Sequence, residues 1–411
     1  GQAFHAMKDR LSNELPFDAT VKVVLLYDGL SNYGGELIAV SERQEKDSQA
    51  MVILRDITNE LSEEHKKNPD AGGLQSEIFD RDGKIRINSG NWITLREYVT
   101  WAVQSYPATN TLLALVGHGA GLLTEAGGET EPKAQQDPAA PQKTGGAAGG
   151  SPSVLGLCPD YNNTESATYM RTEQLGSALN GVYKQTGRAI DVLVLDACFM
   201  GMFEIAYELH DYAKYIVAGQ NMLYAGLRYE QYIAALKPEQ GTKPVPPEAI
   251  AKRIVELYNK GYYQESWTIT AVEASQLKPA AASINAIAGA LIKLIEADDT
   301  FSTQLNIEGL NIRARIRSAY GAAQKFDANI DGRIDAPSES YVDLFDFCFF
   351  LREQLDLALA DADTANTKEQ PYSSLIAGIK AVLTPIRQLP QWLGDESQRT
   401  TAEVPIDTPV T

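Results

Sequence analysis

The chain has 411 residues, of which 44% are hydrophobic and 22% charged, enough apolar material for one large domain or two ordinary ones. Its formal net charge of −18 argues against nucleic acid or an anionic membrane as the main partner and suits a basic substrate. Three cysteines make neither a disulfide framework nor paired zinc knuckles, and no continuous apolar run has the length of a membrane span.

Residues 1–10 contain no signal-peptide apolar region, and the start at Gly1 is read as an export signal already removed. Val21 to Tyr27 (VKVVLLY) predicts a buried strand ending at the turn Asp28-Gly29, and Ala50 to Leu54 a second. Ser76 to Asn88, with Asp82-Gly83 at its centre, carries the cue for a β-hairpin. An amphipathic helix follows from Thr94 to about Ser105, then a buried strand from Thr111 to Val116 that runs directly into Gly117-His118-Gly119.

From Gly127 to Pro152 there is no Val, Leu, Ile or aromatic residue. Such a segment buries too little apolar surface to offset its ordering entropy and predicts a flexible surface insertion. Structure resumes at Val154 to Leu157, followed by a helix from Arg171 to Gln185 stopped by Gly187. The strand Ile190 to Leu195 ends in Asp196-Ala197-Cys198, with a helix from Met200 to Leu209 after it. Further strands are predicted at 215–218 and 267–272, and helices at 247–258 and 276–296.

Alternating strands and helices imply an α/β fold with a mainly parallel sheet covered on both faces, whose chemistry gathers at the carboxyl ends of its strands. The pattern divides into a core over 1–296, containing the insertion 127–152, a mostly helical extension over 297–388 and a polar tail over 389–411. Helices at 311–325 and 341–357 are the main segments of the extension.

Two features sit at strand ends: His118 and Cys198. A cysteine nucleophile needs a base near it, usually His. Of the four histidines, His5 lies in the N-terminal arm, His65 in a charged run read as a solvated face, and His210 at a helix end beside Asp211. Only His118 follows a buried strand between glycines, which let backbone approach a substrate and free N–H groups for an oxyanion. Cys158 and Cys348 read as small core residues, Cys348 within the apolar run FDFCFFL. Gly117 to Gly121 fails as a dinucleotide loop, because Leu122 replaces the third glycine, and as an esterase loop, because no G-x-S-x-G elbow exists.

A hydrophobic strand ending in His-Gly and a second ending in Ala-Cys resemble the caspase-like clan of cysteine peptidases, and within it the clostripain family. The matching stretches are VVLLYDGLSNYGGEL, LLALVGHGAG, DVLVLDACFMGMFEIAYEL, YIVAGQNMLYAGLRY and YVDLFDF, from about Val23 to Phe347. The resemblance implies a caspase-like α/β/α sandwich and peptide hydrolysis by a Cys198/His118 dyad, with the backbone N–H groups of Gly119 and Cys198 as oxyanion hole. It implies cleavage after Arg or Lys, selected by Asp196, and a secreted or cell-envelope location. It also implies maturation by cutting between the His and Cys blocks, where Lys133 and Lys143 are the basic residues of the insertion, with light and heavy chains staying associated.

Gly117 stands where relatives often carry Asp, and QNMLYAG lacks an acidic residue that relatives add to the pocket. Polypeptides are thus the expected partners and no cofactor is required for the chemistry. Asp327, Asn329, Asp331 and Asp335 match the early positions of a calcium loop, although Ser338 rather than Glu occupies its last position. Two other readings stay open here: a non-catalytic caspase-like binding protein, and a caspase-like peptidase with non-basic specificity.

Overall fold

The computed structural model describes residues 21–28, 36–46, 49–119, 121, 157–160, 168–221, 223, 229–236, 243–261, 268–305, 310–325, 341–365 and 372–387. Strands β1 (Val24–Tyr27), β2 (Leu37–Lys46) and β3 (Gln49–Asp56) form an antiparallel sheet in that order. Strand β2 was not predicted: only Leu37 to Val40 is apolar, and the polar remainder is held by its ladder with β3. Alternation sends Val24, Leu26, Ile38 and Val40 to one face and Leu25, Leu37 and Ala39 to the other.

Helices α1 (Thr58–Lys67), α2 (Leu74–Ile78) and α3 (Trp92–Ser105) follow. The predicted hairpin at 76–88 is reduced to a single antiparallel bridge, Phe79 with Ile85. Its first arm is taken by α2, because Leu74, Ile78 and Phe79 pack together beneath β2. The turn itself forms as expected: Gly83 has φ +76°, and the Asp80 carboxylate accepts from the Asp82 and Lys84 amides.

Strands β4 (Leu112–Val116), β5 (Leu157–Asp160), β6 (Thr168–Met170), β7 (Ile190–Asp196), β8 (Ala213–Ala218) and β9 (Thr270–Glu273) make the rest of the described sheet structure. The central sheet has the order β4-β7-β8-β9; β4, β7 and β8 are parallel and β9 is an antiparallel edge, while β5 and β6 pair separately. Helices α4 (Thr172–Thr186), α5 (Phe203–Leu209), α6 (Tyr229–Ala235), α7 (Pro247–Gly261) and α8 (Leu277–Leu305) connect and cover it. Helix α4 stops where predicted, at Gly187 in the left-handed region with its N–H on Tyr183 O.

Every residue of β7 is buried. Leu193 and Leu195 face α3, α4 and α5, whereas Val192 and Val194 face α6 and α7. The result is a caspase-like α/β/α sandwich. Truncating Leu193 to Ala at this centre would cost about 2–5 kcal/mol.

A second apolar cluster joins α8 to α9 (Ile312–Ala322), α10 (Leu344–Ala365) and α11 (Ser373–Ile386). Buried Asp298 accepts from Leu310 N at 2.7 Å and Ile312 N at 2.9 Å, which satisfies the start of α9. The boundary expected at 296/297 falls inside α8: Leu277 packs on the sheet, whereas Ile287 and Leu294 pack in the helical cluster. The segment Ala274–Thr300 is long and apolar enough to cross a membrane by length and composition alone, although it contains no continuous apolar run. Gly, Ser, Asn and Lys interrupt its apolar residues.

Candidate active site

The parallel ladder of β4 on β7 ends with Val116 opposite Asp196, and Gly117 N donates to Asp196 O at 3.2 Å. His118 and Cys198 are each two residues beyond that last pair. Two strand ends far apart in sequence therefore present them side by side, at the carboxyl edge where α/β sheets hold ligands.

The turn after β7 is tightly held. Phe199 has φ +60°, a left-handed conformation costing a non-glycine residue about 1 kcal/mol. Phe199 N donates to Asn221 O at 3.2 Å and Gly201 N to Gly219 O at 2.7 Å, so the loop after β8 fixes the turn. A side chain at Gly201 would lie 2.8 Å from Gln220 N and Gly219 C. This clamp keeps Met200 to Met202 out of the helix, and α5 starts at Phe203 rather than at the expected Met200. The helix start is thus five residues from Cys198. The donor at the thiol comes from elsewhere: Leu223 N–H points at Cys198 Sγ from 3.3 Å. The Cys198 thiol in turn is directed at Leu223 O from 3.9 Å. Cys198 itself is half-buried.

The His118 loop is locked to the same turn. A Cβ on Gly119 would lie 2.5 Å from Cys198 O, 2.8 Å from Ala197 Cβ and 3.2 Å from Cys198 N. Only glycine fits, and its backbone lies against the Cys198 backbone. On the other side, Cys158 N donates to His118 O at 3.0 Å, with Cys158 at φ +51°. His118 is exposed.

Asp196 is buried, with 5% of its surface exposed. Tyr229, the first residue of α6, donates its hydroxyl to Asp196 Oδ2 at 2.6 Å. Burial, then the charge of Asp196, pushes the Tyr229 phenol well above its ordinary range, so it stays a donor.

The family model described as "Clostripain family" matches residues 145–375, more than half of the chain, a stretch that holds Asp196, Cys198 and Tyr229 and begins after His118. The chain belongs to the clostripain family. It is accordingly a cysteine peptidase. No curated protein matches it. Among solved structures it is similar to an inactive zymogen C11 protease from Parabacteroides distasonis, at 15% identity and TM-score 0.46, over 92% of this chain and 75% of that one. It is also similar to a secreted C11 cysteine protease from Bacteroides thetaiotaomicron in complex with an irreversible peptide inhibitor, at 15% identity and TM-score 0.49, over 88% and 77%.

Among the described residues of this clostripain-family chain, Cys158, Cys348, His65 and His210 each have surroundings of their own. Burial first, then the charge of Asp196, pushes the Cys158 thiol up to about 12. Burial raises Cys348 to about 12 within the helical cluster. His65 is not on a solvated face: it is 4% exposed, donates from Nε2 to Asp80 O at 3.0 Å and lies against the Phe79 ring. Its charged neighbours occupy the other sides of α1, so the run EEHKK hid an inward position. His210 stacks on Tyr207 and pairs with Asp211 at 3.3 Å.

His5, Lys133, Lys143 and the candidate metal ligands Asp327, Asn329, Asp331 and Asp335 lie outside the described residues. Among the described residues no cluster of His, Cys, Asp and Glu has the make-up of a metal site. Sequence reasoning missed the Leu223 amide and Tyr229. Both are reached only through the fold of the chain after β8, and neither has a spacing that marks it.

Proposed function

We propose that this clostripain-family peptidase is an endopeptidase that cuts after Arg or Lys with Cys198 as nucleophile and His118 as acid/base. The observation that carries the reading is the β4–β7 register, which brings His118, Gly119 and Cys198 to one strand edge with Gly119 closed onto the Cys198 backbone. Cys198 gives its proton to His118, and the resulting thiolate adds to the scissile carbonyl carbon with formation of a C–S bond. The Gly119 and Cys198 N–H groups receive the oxyanion. His118 hands its proton to the leaving amine as the C–N bond breaks, leaving an acyl-enzyme. Water then attacks that thioester, giving its proton to His118, and the C–S bond breaks to release the acid and restore the thiolate.

Asp196 is the carboxylate assigned to the Arg or Lys side chain, because a desolvated carboxylate favours guanidinium or ammonium over neutral groups. Maturation by self-cleavage after Lys133 or Lys143, with the two chains staying together and the enzyme acting outside the cell, completes the reading.

An Arg- or Lys-based chloromethyl ketone tests it under reducing conditions with calcium present. Covalent label on Cys198 is expected, with none in Cys198→Ala. Absence of label in the wild type would reject the basic-specific reading, and a label only from non-basic ketones would favour another specificity. Mass spectrometry of active enzyme tests maturation: an uncut active chain would sink the self-cleavage step.

A further inference from the structure

We propose that Tyr229 is a positioning residue for substrate specificity, whose phenol holds the Asp196 carboxylate oriented for a basic side chain before the scissile bond. The inference rests on the assignment of Asp196 made above.

Three observations carry it. First, the contact is direct and short: Tyr229 Oη donates to Asp196 Oδ2 at 2.6 Å, in a place where Asp196 is 5% exposed. A carboxylate removed from water needs donors to remain charged, and a hydrogen bond to the charged form supplies one. A carboxylate oxygen accepts more than one hydrogen bond, so the phenol and a substrate cation can share the group.

Second, the ring is fixed from two sides. It packs with Ala39 and Leu54 of the β1–β3 sheet and also with the cluster under β7 and β8, edge-on to Tyr232 at 5.9 Å. Tyr229 therefore acts as a built-in strut and not as a swinging side chain. It ties the orientation of Asp196 to the N-terminal sheet.

Third, the neighbouring strand-end thiol feels Asp196. The charge of Asp196 contributes to raising Cys158, after burial. Asp196 therefore lies within electrostatic reach of both Cys158 and Tyr229. Tyr229 remains protonated across the working range, for the same two reasons of burial and charge.

The step is one of recognition, so no bond is made or broken by Tyr229. Removing its hydroxyl while keeping the ring leaves Asp196 desolvated with one donor fewer. The carboxylate then loses one of the contacts that fix its direction toward a substrate cation. The loss should fall on substrates with Arg or Lys before the cut, and should appear in KM.

The experiment uses the full chain and fluorogenic peptides with Arg, Lys or a neutral residue before the cleaved bond, comparing wild type, Tyr229→Phe and Asp196→Asn. Tyr229→Phe is expected to raise KM about tenfold, the worth of a hydrogen bond to a charged group, with the loss carried in KM rather than kcat. Its preference for basic over neutral peptides should fall by a similar factor. Alkylation of Cys198 by iodoacetamide, which has no basic group, should keep its wild-type rate and so report an intact site. Equal falls in kcat and alkylation rate, with the basic-over-neutral preference kept, would show a merely structural tyrosine and overturn the inference. Should Asp196→Asn keep the basic preference, the assignment of Asp196 fails and the inference falls with it. Should Asp196→Asn lose that preference while Tyr229→Phe matches wild type, the inference alone fails.

Discussion

Two short segments flank the Gly117–Gly119 loop, and each carries a cysteine near a residue of positive φ. On one side, Cys198 sits in a turn clamped by Gly219 and Asn221, with the Leu223 N–H directed at its sulfur. On the other side, Cys158 begins a two-stranded ribbon, holds the His118 carbonyl with its own N–H, and is pushed up to about 12 by burial. The two thiols lie on either side of the same histidine backbone, yet they differ in burial: Cys158 is held protonated by it, whereas Cys198 is half-buried with the Leu223 N–H at its sulfur.

Replacing the two thiols in turn gives the largest expected difference. Cys198→Ala should lower kcat/KM on a fluorogenic peptide by about ten-thousandfold or more, and Cys158→Ala by less than about fivefold. Comparable losses would erase the distinction. The glycines that face each segment come next. Gly119→Ala drives its Cβ into Cys198 O and should cost about a hundredfold in kcat. Gly117→Ala meets Cys158 at 3.4 Å, a contact distance, and should cost only a few-fold. Ordinary steady-state kinetics would order the pair.

A third test uses pH. Cys158 binds its proton more tightly folded than its ordinary value of 9.0, so the stability it contributes is complete below about 9 and is lost as pH rises toward about 12. Thermal melts of wild type should therefore weaken over that window, and Cys158→Ala should flatten the slope. Peptide mapping after iodoacetamide treatment at pH 7.5 should find Cys198 modified and Cys158 spared, because burial holds the Cys158 thiol protonated.

The smallest effect concerns the brace behind the Cys198 turn. Gln220 donates from Nε2 to Asp343 Oδ2 at 3.3 Å, which links the loop after β8 to the start of α10. Gln220→Ala leaves the Asp343 cap on Asp346 N intact and should lower kcat about three-fold through a looser Leu223. An unchanged rate would mean the helical cluster does not steady the turn.

The strands ending in His118 and Cys198 were legible because a fully buried parallel strand leaves a continuous apolar run, and the residues just past its carboxyl end sit at the reactive edge. The Gly187 stop was legible for an equally local reason: a left-handed cap needs no partner beyond its own helix. Strand β2 was not, because its outer half is polar and exists through its ladder with β3. The inward turn of His65 was hidden by charged neighbours on the other faces of one helix.

The order of residues alone established most of the strands, which strand ends carry a histidine and a cysteine, and that an acidic residue precedes that cysteine by two positions. Those follow from apolar patterning and residue chemistry, which act over a few neighbours. It took the folded chain to set Val116 opposite Asp196, to bring the Leu223 amide beside the Cys198 sulfur, and to stand Tyr229 against Asp196. Those depend on the register of two strands eighty residues apart and on how a later helix docks under them. Register and docking are set by packing over the whole core, and no local run of residues encodes them.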